Sequence, residues 1–360
     1  MFNVTTDGDY RDQIRQFFQS EFPNSAVKSS GDTLELLTEA ILASGQIRLG
    51  PRPGVESLFE IRKHLKAVID SNEPVRFLMP WGSEKPVDLQ TVDVAEIVAM
   101  KTLACLQGRV ESIYRPGISI RIRIEDATAP NLYFNDRPRA RLNAQVYTDS
   151  LIDLIHTLEV QHFITPVPET QMTSEDAFER EFEQVYPTLL DYVKASEGVH
   201  DSERTVMKQY SALKELGWMG TIADDQRTHY RDTYRKLYGS SDNEATELFA
   251  RYLAQSLVRK RINILGNGDW TDYLGLSFVR SVPGEPLGRT NRRIYYRTMP
   301  ANVSSNHIPP WRAKGYLVVN ENGVRPRLAS WQEQKDYVPN VVRLSNGEHN
   351  VNVRADYEVS

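Results

Sequence analysis

Residues 75–126 constrain the fold more than any other stretch of this chain. Val75-Arg76-Phe77-Leu78-Met79 is a short apolar run ending at Pro80, and the loop Trp81-Gly82-Ser83-Glu84-Lys85-Pro86 follows. An amphipathic helical pattern runs from about 93 to 113, and Tyr114-Arg115-Pro116-Gly117 then makes a turn. Next, Ile118-Ser119-Ile120-Arg121-Ile122-Arg123-Ile124 alternates without a break and ends on Glu125-Asp126. Strand, helix and strand in that order form a βαβ unit. Charged residues gather at the C-terminal ends of both strands, where open α/β sheets place small-molecule sites.

The 360 residues allow two domains or one large one, and 40% hydrophobic with 25% charged residues is an ordinary globular balance. With 43 Lys and Arg against 48 Asp and Glu, the net charge is -5, which lacks the basic footprint of a general nucleic-acid binder. Cys105, the single cysteine, excludes an intrachain disulfide and any Cys-based metal site, and reads as a small apolar core residue. The N-terminus lacks a basic n-region and an apolar h-region. No apolar run approaches the roughly 18 residues that a membrane span needs. A soluble, cytoplasmic protein is expected, in which the sequons at Asn3 and Asn302 stay unmodified.

Helical spacing predicts helices over 10–22, 33–43 and 57–71, the last leading into the strand at Val75. After Asp126 a loop with Pro130 precedes a helix over 141–158 and the short piece His162-Phe163-Ile164. Pro166-Val167-Pro168 breaks the pattern and sets a boundary. Charged helices are expected over 174–185, 188–195, 201–216, 225–237 and 243–261, the last opening on Asn243-Glu244 and closing on Arg259-Lys260-Arg261, in keeping with the helix dipole. Strands are expected over 273–280, 293–299 and 315–320, then a turn at Asn320-Glu321-Asn322-Gly323, then short strands over 328–332 and 340–344. The polar tail from Asp336 has no assigned role. The predicted architecture is an α/β fold with a Rossmann-like, mainly parallel sheet over 1–165. A helical segment follows over 166–262, and a strand-rich portion over 263–360 completes the site.

Lys85 lies five residues after Pro80, Arg115 sits in the following turn, and Arg121 and Arg123 share one face of their strand. Cations on loops above a sheet suit a phosphate or a carboxylate, with Arg offering a fork of donors. The plainer alternatives stay open: Arg121 and Arg123 on the solvent face of an antiparallel edge, and Lys85 as a surface lysine. The seven histidines are scattered, and the adjacent carboxylates Asp224-Asp225 and Glu125-Asp126 are not ligand geometry, so no metal is expected. Gly-x-Gly-x-x-Gly after the early strand, the P-loop and the Gly-x-Ser-x-Gly elbow are absent, which disfavours nicotinamide, P-loop and α/β-hydrolase chemistry. Asn306-His307-Ile308-Pro309-Pro310-Trp311-Arg312 presents a stiff backbone, an aromatic plate and a guanidinium, either as the wall of an amino-acid pocket or as a rigid surface turn. The basic knot Arg289, Arg292 and Arg293 reads as a solvated loop.

Taken together, these segments resemble the isocyanide synthase family, the group related to pyoverdine and paerucumarin biosynthesis and to the fungal spore-wall dityrosine pathway. The likeness covers roughly residues 33–335. It rests on Pro80 with Lys85 at the family spacing, the turn at Tyr114-Arg115-Pro116-Gly117, and the acidic strand end Glu125-Asp126. Downstream it rests on Leu276-Ser277-Phe278-Val279 and on Pro309-Pro310-Trp311-Arg312. Val279 and Arg312 stand where the family has His, Ala127 where it often has Gly, and extra residues occur between Val282 and Asn306.

The resemblance implies an enzyme that condenses an amino-acid amine with ribulose 5-phosphate and leaves the nitrogen as an isocyanide, with no metal or redox cofactor. It implies Lys85 as general acid–base or phosphate contact, Arg121 or Arg123 on an anion, and Glu125 or Asp126 handling the amine or moving protons. Trp311 and Arg312 would shape the amino-acid side, and Arg115, Ser277 and Arg280 complete the expected substrate-binding set. The expected partners are these small molecules, neither nucleic acid nor membrane, with a homodimer left open. Two other readings remain: the same fold running a different amine–carbonyl or phosphosugar reaction, and a non-catalytic ligand-binding protein.

Overall fold

The computed structural model describes residues 7–19, 31–42, 48–49, 53–83, 85, 91–127, 137–195, 272–278, 293–298, 308–320, 323–330 and 337–359, together with Ala250, Ala254 and Val258. The expected helices over 201–216 and 225–237 lie outside these residues, as do most of 243–261, Arg280, Arg289 and Arg292. Three helices come first: α1 (Asp7–Gln19), α2 (Thr33–Leu42) and α3 (Val55–Ser71). Then follow β1 (Val75–Trp81), α4 (Val94–Glu111), β2 (Ile118–Ile124), α5 (Arg137–Thr157) and β3 (Ile164–Pro168). A short helix α6 (Glu169–Met172) leads into α7 (Glu175–Ala195), and β4 (Leu274–Ser277) and β5 (Arg293–Tyr295) follow. A 3-10 turn (Pro310–Arg312) precedes β6 (Ala313–Asn320), β7 (Gly323–Ser330), β8 (Val341–Ser345), β9 (Asn350–Arg354) and β10 (Tyr357–Val359).

The central sheet has the order β3-β2-β1-β4-β5, and every neighbouring pair is parallel. This is the α/β architecture expected from the sequence, with helices against a parallel sheet. Alternation decides the facing: Val75, Phe77, Met79 and Trp81 on β1, and Ile118, Ile120, Ile122 and Ile124 on β2, are all buried. The strands run outward from β1 to β3 and restart at β4 on the other side of β1. The order therefore reverses between β1 and β4, the topological switch point of such sheets.

Several expectations change. β2 lies between β1 and β3, so the antiparallel-edge reading of Arg121 and Arg123 does not hold. The helix over 93–113 is not amphipathic along its first half: every residue from Val94 to Leu103 is buried, because sheet, α2 and β6 surround it. β1 continues through Pro80 to Trp81; its pairing with β4 covers Phe77 and Leu78, short of the residue that lacks an N–H. The boundary at 165/166 falls inside β3, whose place at the sheet edge tolerates Pro166 and Pro168. Residues beyond 263 contribute β4 and β5 to the same sheet. The two helices over 174–185 and 188–195 are one helix, α7, with Pro187 inside it.

The tail without an assigned role is structural. β8 and β9 form a hairpin turned at Gly347, whose φ of 98° suits glycine. β10 adds in parallel to β6, and β6 pairs antiparallel with β7. The Arg354 N–H donates to the Val92 carbonyl at 3.1 Å, which ties the tail to the start of α4. Among the described residues no helix is long and apolar enough to cross a membrane.

Candidate active site

Trp81 is the last inward residue of β1 and is completely buried at the switch point. Its indole N–H donates to the Tyr147 hydroxyl at 3.0 Å. Its ring meets Phe278, just beyond β4, edge-on at 5.9 Å, and Trp311 of the 3-10 turn at 5.3 Å. Side chains from β1, α5, the end of β4 and the Pro310–Arg312 turn thus converge on one indole.

Beside it lies a buried ionic network. The chain before α4 carries Asp93 as N-cap, accepting from the Ala95 N–H at 2.7 Å, while Glu96 reaches back to the Asp93 N–H at 2.8 Å; together they form a capping box. The same two carboxylates receive Lys85. Its ammonium lies 2.8 and 2.9 Å from the Glu96 oxygens, 3.1 Å from Asp93 Oδ1 and 3.0 Å from the Pro310 carbonyl. The Tyr147 hydroxyl donates to Glu96 Oε1 at 2.9 Å. Asp93 Oδ2 accepts the Gly315 N–H at 3.0 Å, and glycine is required there: a Cβ on Gly315 would lie 2.1 Å from the Ala95 nitrogen. Burial pushes Glu96 up to about 8, against the opposing pull of Lys85. Burial likewise raises Tyr147 well above the ordinary phenol range.

A second cluster caps β2 and β3. Arg123 Nη2 donates to Glu125 Oε1 at 2.9 Å, and its Nε lies 3.5 Å from Oε1 of the buried Glu169. Asp126 accepts from the Thr170 N–H at 3.1 Å and the Thr170 hydroxyl at 2.7 Å, while burial raises its carboxyl above the usual range. The two clusters are linked through backbone: the Ser83 hydroxyl donates to the Glu125 carbonyl at 2.9 Å, and the Glu125 N–H donates to the Trp81 carbonyl at 2.9 Å. Glu125 and Glu169 meet one guanidinium and Asp126 binds Thr170 instead, so carboxylates outnumber cations in this cluster at the C-terminal edge of β2 and β3.

The placement of the predicted residues follows from these contacts. Lys85, Glu125, Asp126, Arg123, Ser277 and Trp311 all lie at the C-terminal end of the sheet. Lys85 is neither a surface lysine nor open to a phosphate, since its side chain is fully enclosed by acceptors. Arg121 lies earlier on β2, over the Tyr273 ring at 5.7 Å. Arg115 is exposed in the turn before β2; the Gly117 carbonyl of that turn accepts from the Val75 N–H at the start of β1. It therefore sits at the opposite end of the sheet and is not part of this site. Ser277 is buried, its carbonyl accepting the Tyr296 N–H at 2.9 Å. Arg312 lies in the 3-10 turn, and Arg280 is outside the described residues.

Asp93, Glu96, Tyr147 and Glu169 were not among the sequence candidates. Asp93-Val94-Ala95-Glu96 is a readable capping box, and a lysine eight residues before it was the available hint. Nothing local marks Tyr147 or Glu169. Among the described residues no group of three or more His, Cys, Asp or Glu side chains is arranged to hold a metal ion.

No protein-family model matches this chain, and no curated protein matches it. Among solved structures, the crystal structure of the PvcA protein from Pseudomonas aeruginosa has the same fold. The alignment has a TM-score of 0.58 and 16% identity, and covers 91% of this chain and 100% of PvcA.

Proposed function

We propose that this chain is an isocyanide-synthase-like enzyme that condenses the amine of an amino acid with ribulose 5-phosphate. Two lines support the reading. The order of motifs resembles the isocyanide synthases of the pyoverdine and paerucumarin group, and the fold is that of PvcA over nearly the whole chain. The observation that carries it is the pair of linked ionic clusters over the C-terminal edge of β1, β2 and β3, beside an aromatic wall of Trp81, Phe278 and Trp311.

The chemistry begins with imine formation: the amine nitrogen bonds to the sugar ketone carbon, and the ketone oxygen leaves as water. That step needs an acidic edge to attract an ammonium, and an acid–base group to take its proton and return one to the departing oxygen. Glu125 and Glu169 supply the charge, and Asp126, raised by burial, is the acid–base group. Lys85 spends its donors on Glu96, Asp93 and the Pro310 carbonyl, so it is not the phosphate contact. Lys85 and Glu96 position the walls.

Val279 and Arg312, in place of family histidines, favour a second reading: the same condensation followed by a different breakdown, since an always-charged Arg cannot relay protons. Incubation of the purified protein with ribulose 5-phosphate and pooled amino acids, followed by mass analysis, separates the two. An isocyanide product supports the first. A phosphosugar-induced thermal shift without that product supports the second. Neither signal sinks both.

A further inference from the structure

Asn143 lies on α5 four residues before Tyr147, so the two side chains share a stripe of the helix. α5 follows β2 and returns to the start of β3, so its N-terminal end lies over the C-terminal edge of the sheet. Asn143 is therefore one turn nearer that edge than Tyr147, whose hydroxyl joins Trp81 to Glu96. Asn143 is only 5% exposed, and its side-chain Nδ2 has no hydrogen-bond acceptor among the described residues. A buried amide donor is costly unless an acceptor reaches it. An apolar residue would serve better at this position if packing were its only role, as Leu151 and Leu154 do further along the same helix.

We infer that Asn143 is a substrate-binding residue whose amide donates to the carboxylate of the amino acid held over the C-terminal edge of the sheet. The inference rests on the amino-acid substrate class proposed above. A neutral donor fits the surroundings: the adjacent network already sets two carboxylates against Lys85, and the only new demand is for an acceptor oxygen. With the carboxylate held on α5, the amine is directed toward the acidic edge of β2 and β3.

The test is ligand-induced thermal shift of the full chain. Each proteinogenic L-amino acid is added singly, and then the decarboxylated amine of whichever acid binds. Wild type should prefer the acid over its amine by about 10-fold or more, the range of a hydrogen bond to a charged group. Asn143→Leu, close in volume and without the donor, should melt at or above wild type when unliganded and bind acid and amine equally. Asn143→Ala provides the same comparison if the leucine variant misfolds. If either folded variant keeps the wild-type preference for the acid, the inference is overturned while the amino-acid reading stands, and a water is the acceptor of Asn143. If no amino acid shifts the wild type, both are overturned.

Discussion

Lys85→Met is the sharpest perturbation of the site. Methionine keeps the length of the side chain and removes the charge, so little volume changes and the measured loss reports the ionic network. In the native protein the ammonium satisfies both Glu96 oxygens at 2.8 and 2.9 Å, Asp93 at 3.1 Å and the Pro310 carbonyl at 3.0 Å. At pH 9, where Glu96 is ionised, removing it leaves two adjacent carboxylates without their cation in a space that water does not reach. Breaking a buried ion pair from one side typically costs about 3–5 kcal/mol, most of it the stranded partner. Lys85→Met should therefore lower the unfolding free energy by about that amount in urea titrations followed by far-ultraviolet circular dichroism. The double variant Lys85→Met/Glu96→Gln, which also removes the stranded charge, should recover about 1–3 kcal/mol of the loss. A lysine on an open loop would give a change within about 0.5 kcal/mol. That small change in the single variant, or strict additivity in the double, would refute the network.

Three further outcomes follow from the same geometry. Gly315→Ala places a methyl 2.1 Å from the Ala95 nitrogen and 2.6 Å from the Val94 carbonyl carbon, so β6 must move off α4. A loss of about 3 kcal/mol or more is expected by thermal melting, and a wild-type melt would show that β6 and α4 do not approach so closely. Tyr147→Phe strands the buried Trp81 indole N–H and removes one donor from Glu96, for a loss of about 1–3 kcal/mol; an unchanged stability would mean that this hydroxyl bridges nothing. Glu96, raised from 4.5 to about 8, keeps its proton when folded over a range where the unfolded chain has released it. Its contribution is full below about 4.5 and is lost as the pH rises through about 8, so stability should fall across that window in wild type and fall less in Glu96→Gln. Superimposable pH profiles would remove Glu96 as the titrating group.

The local pattern made the sheet legible. β2 alternates over seven residues and is found at Ile118–Ile124 as expected, and α3 and α4 begin and end close to their periodic segments. The site was half legible, because proximity to a strand end is readable whereas the orientation of a loop side chain is not. Lys85 was identified by its spacing from Pro80, but its burial depends on Pro310, 225 residues away. Arg115 reads from the sequence as a site residue because a turn between helix and strand looks alike at either end of a sheet. Pro166 and Pro168 looked like a boundary because proline is rare in a central strand, and only the pairing partners reveal an edge. Tyr147 and Asn143 were invisible, since a polar residue on a helical stripe reads as a solvated position until the facing element is known.

The tail adds a last constraint on the site. Along the edge of β6 away from β7, the Gly315 N–H donates to Asp93 at 3.0 Å, and the Leu317 N–H donates to the Asp356 carbonyl at 2.8 Å, where β10 adds to the sheet. The Asp356 side chain is buried and holds Lys314 at 3.0 Å, Arg354 at 3.0 Å and the Asn340 N–H at 3.1 Å. The turn that presents Pro310 to Lys85 runs directly into β6, so Lys85 and Asp356 both restrain the first half of one strand. Asp356→Ala removes the acceptor of two cations and one backbone N–H, for about 2–4 kcal/mol. Two restraints on one rigid strand are coupled through its backbone position, so the pair Lys85→Met and Asp356→Ala should be subadditive by about 1 kcal/mol or more. If the two losses simply add, β6 does not transmit position from the tail to the Pro310 turn, and residues 337–359 stabilise the sheet without setting the site.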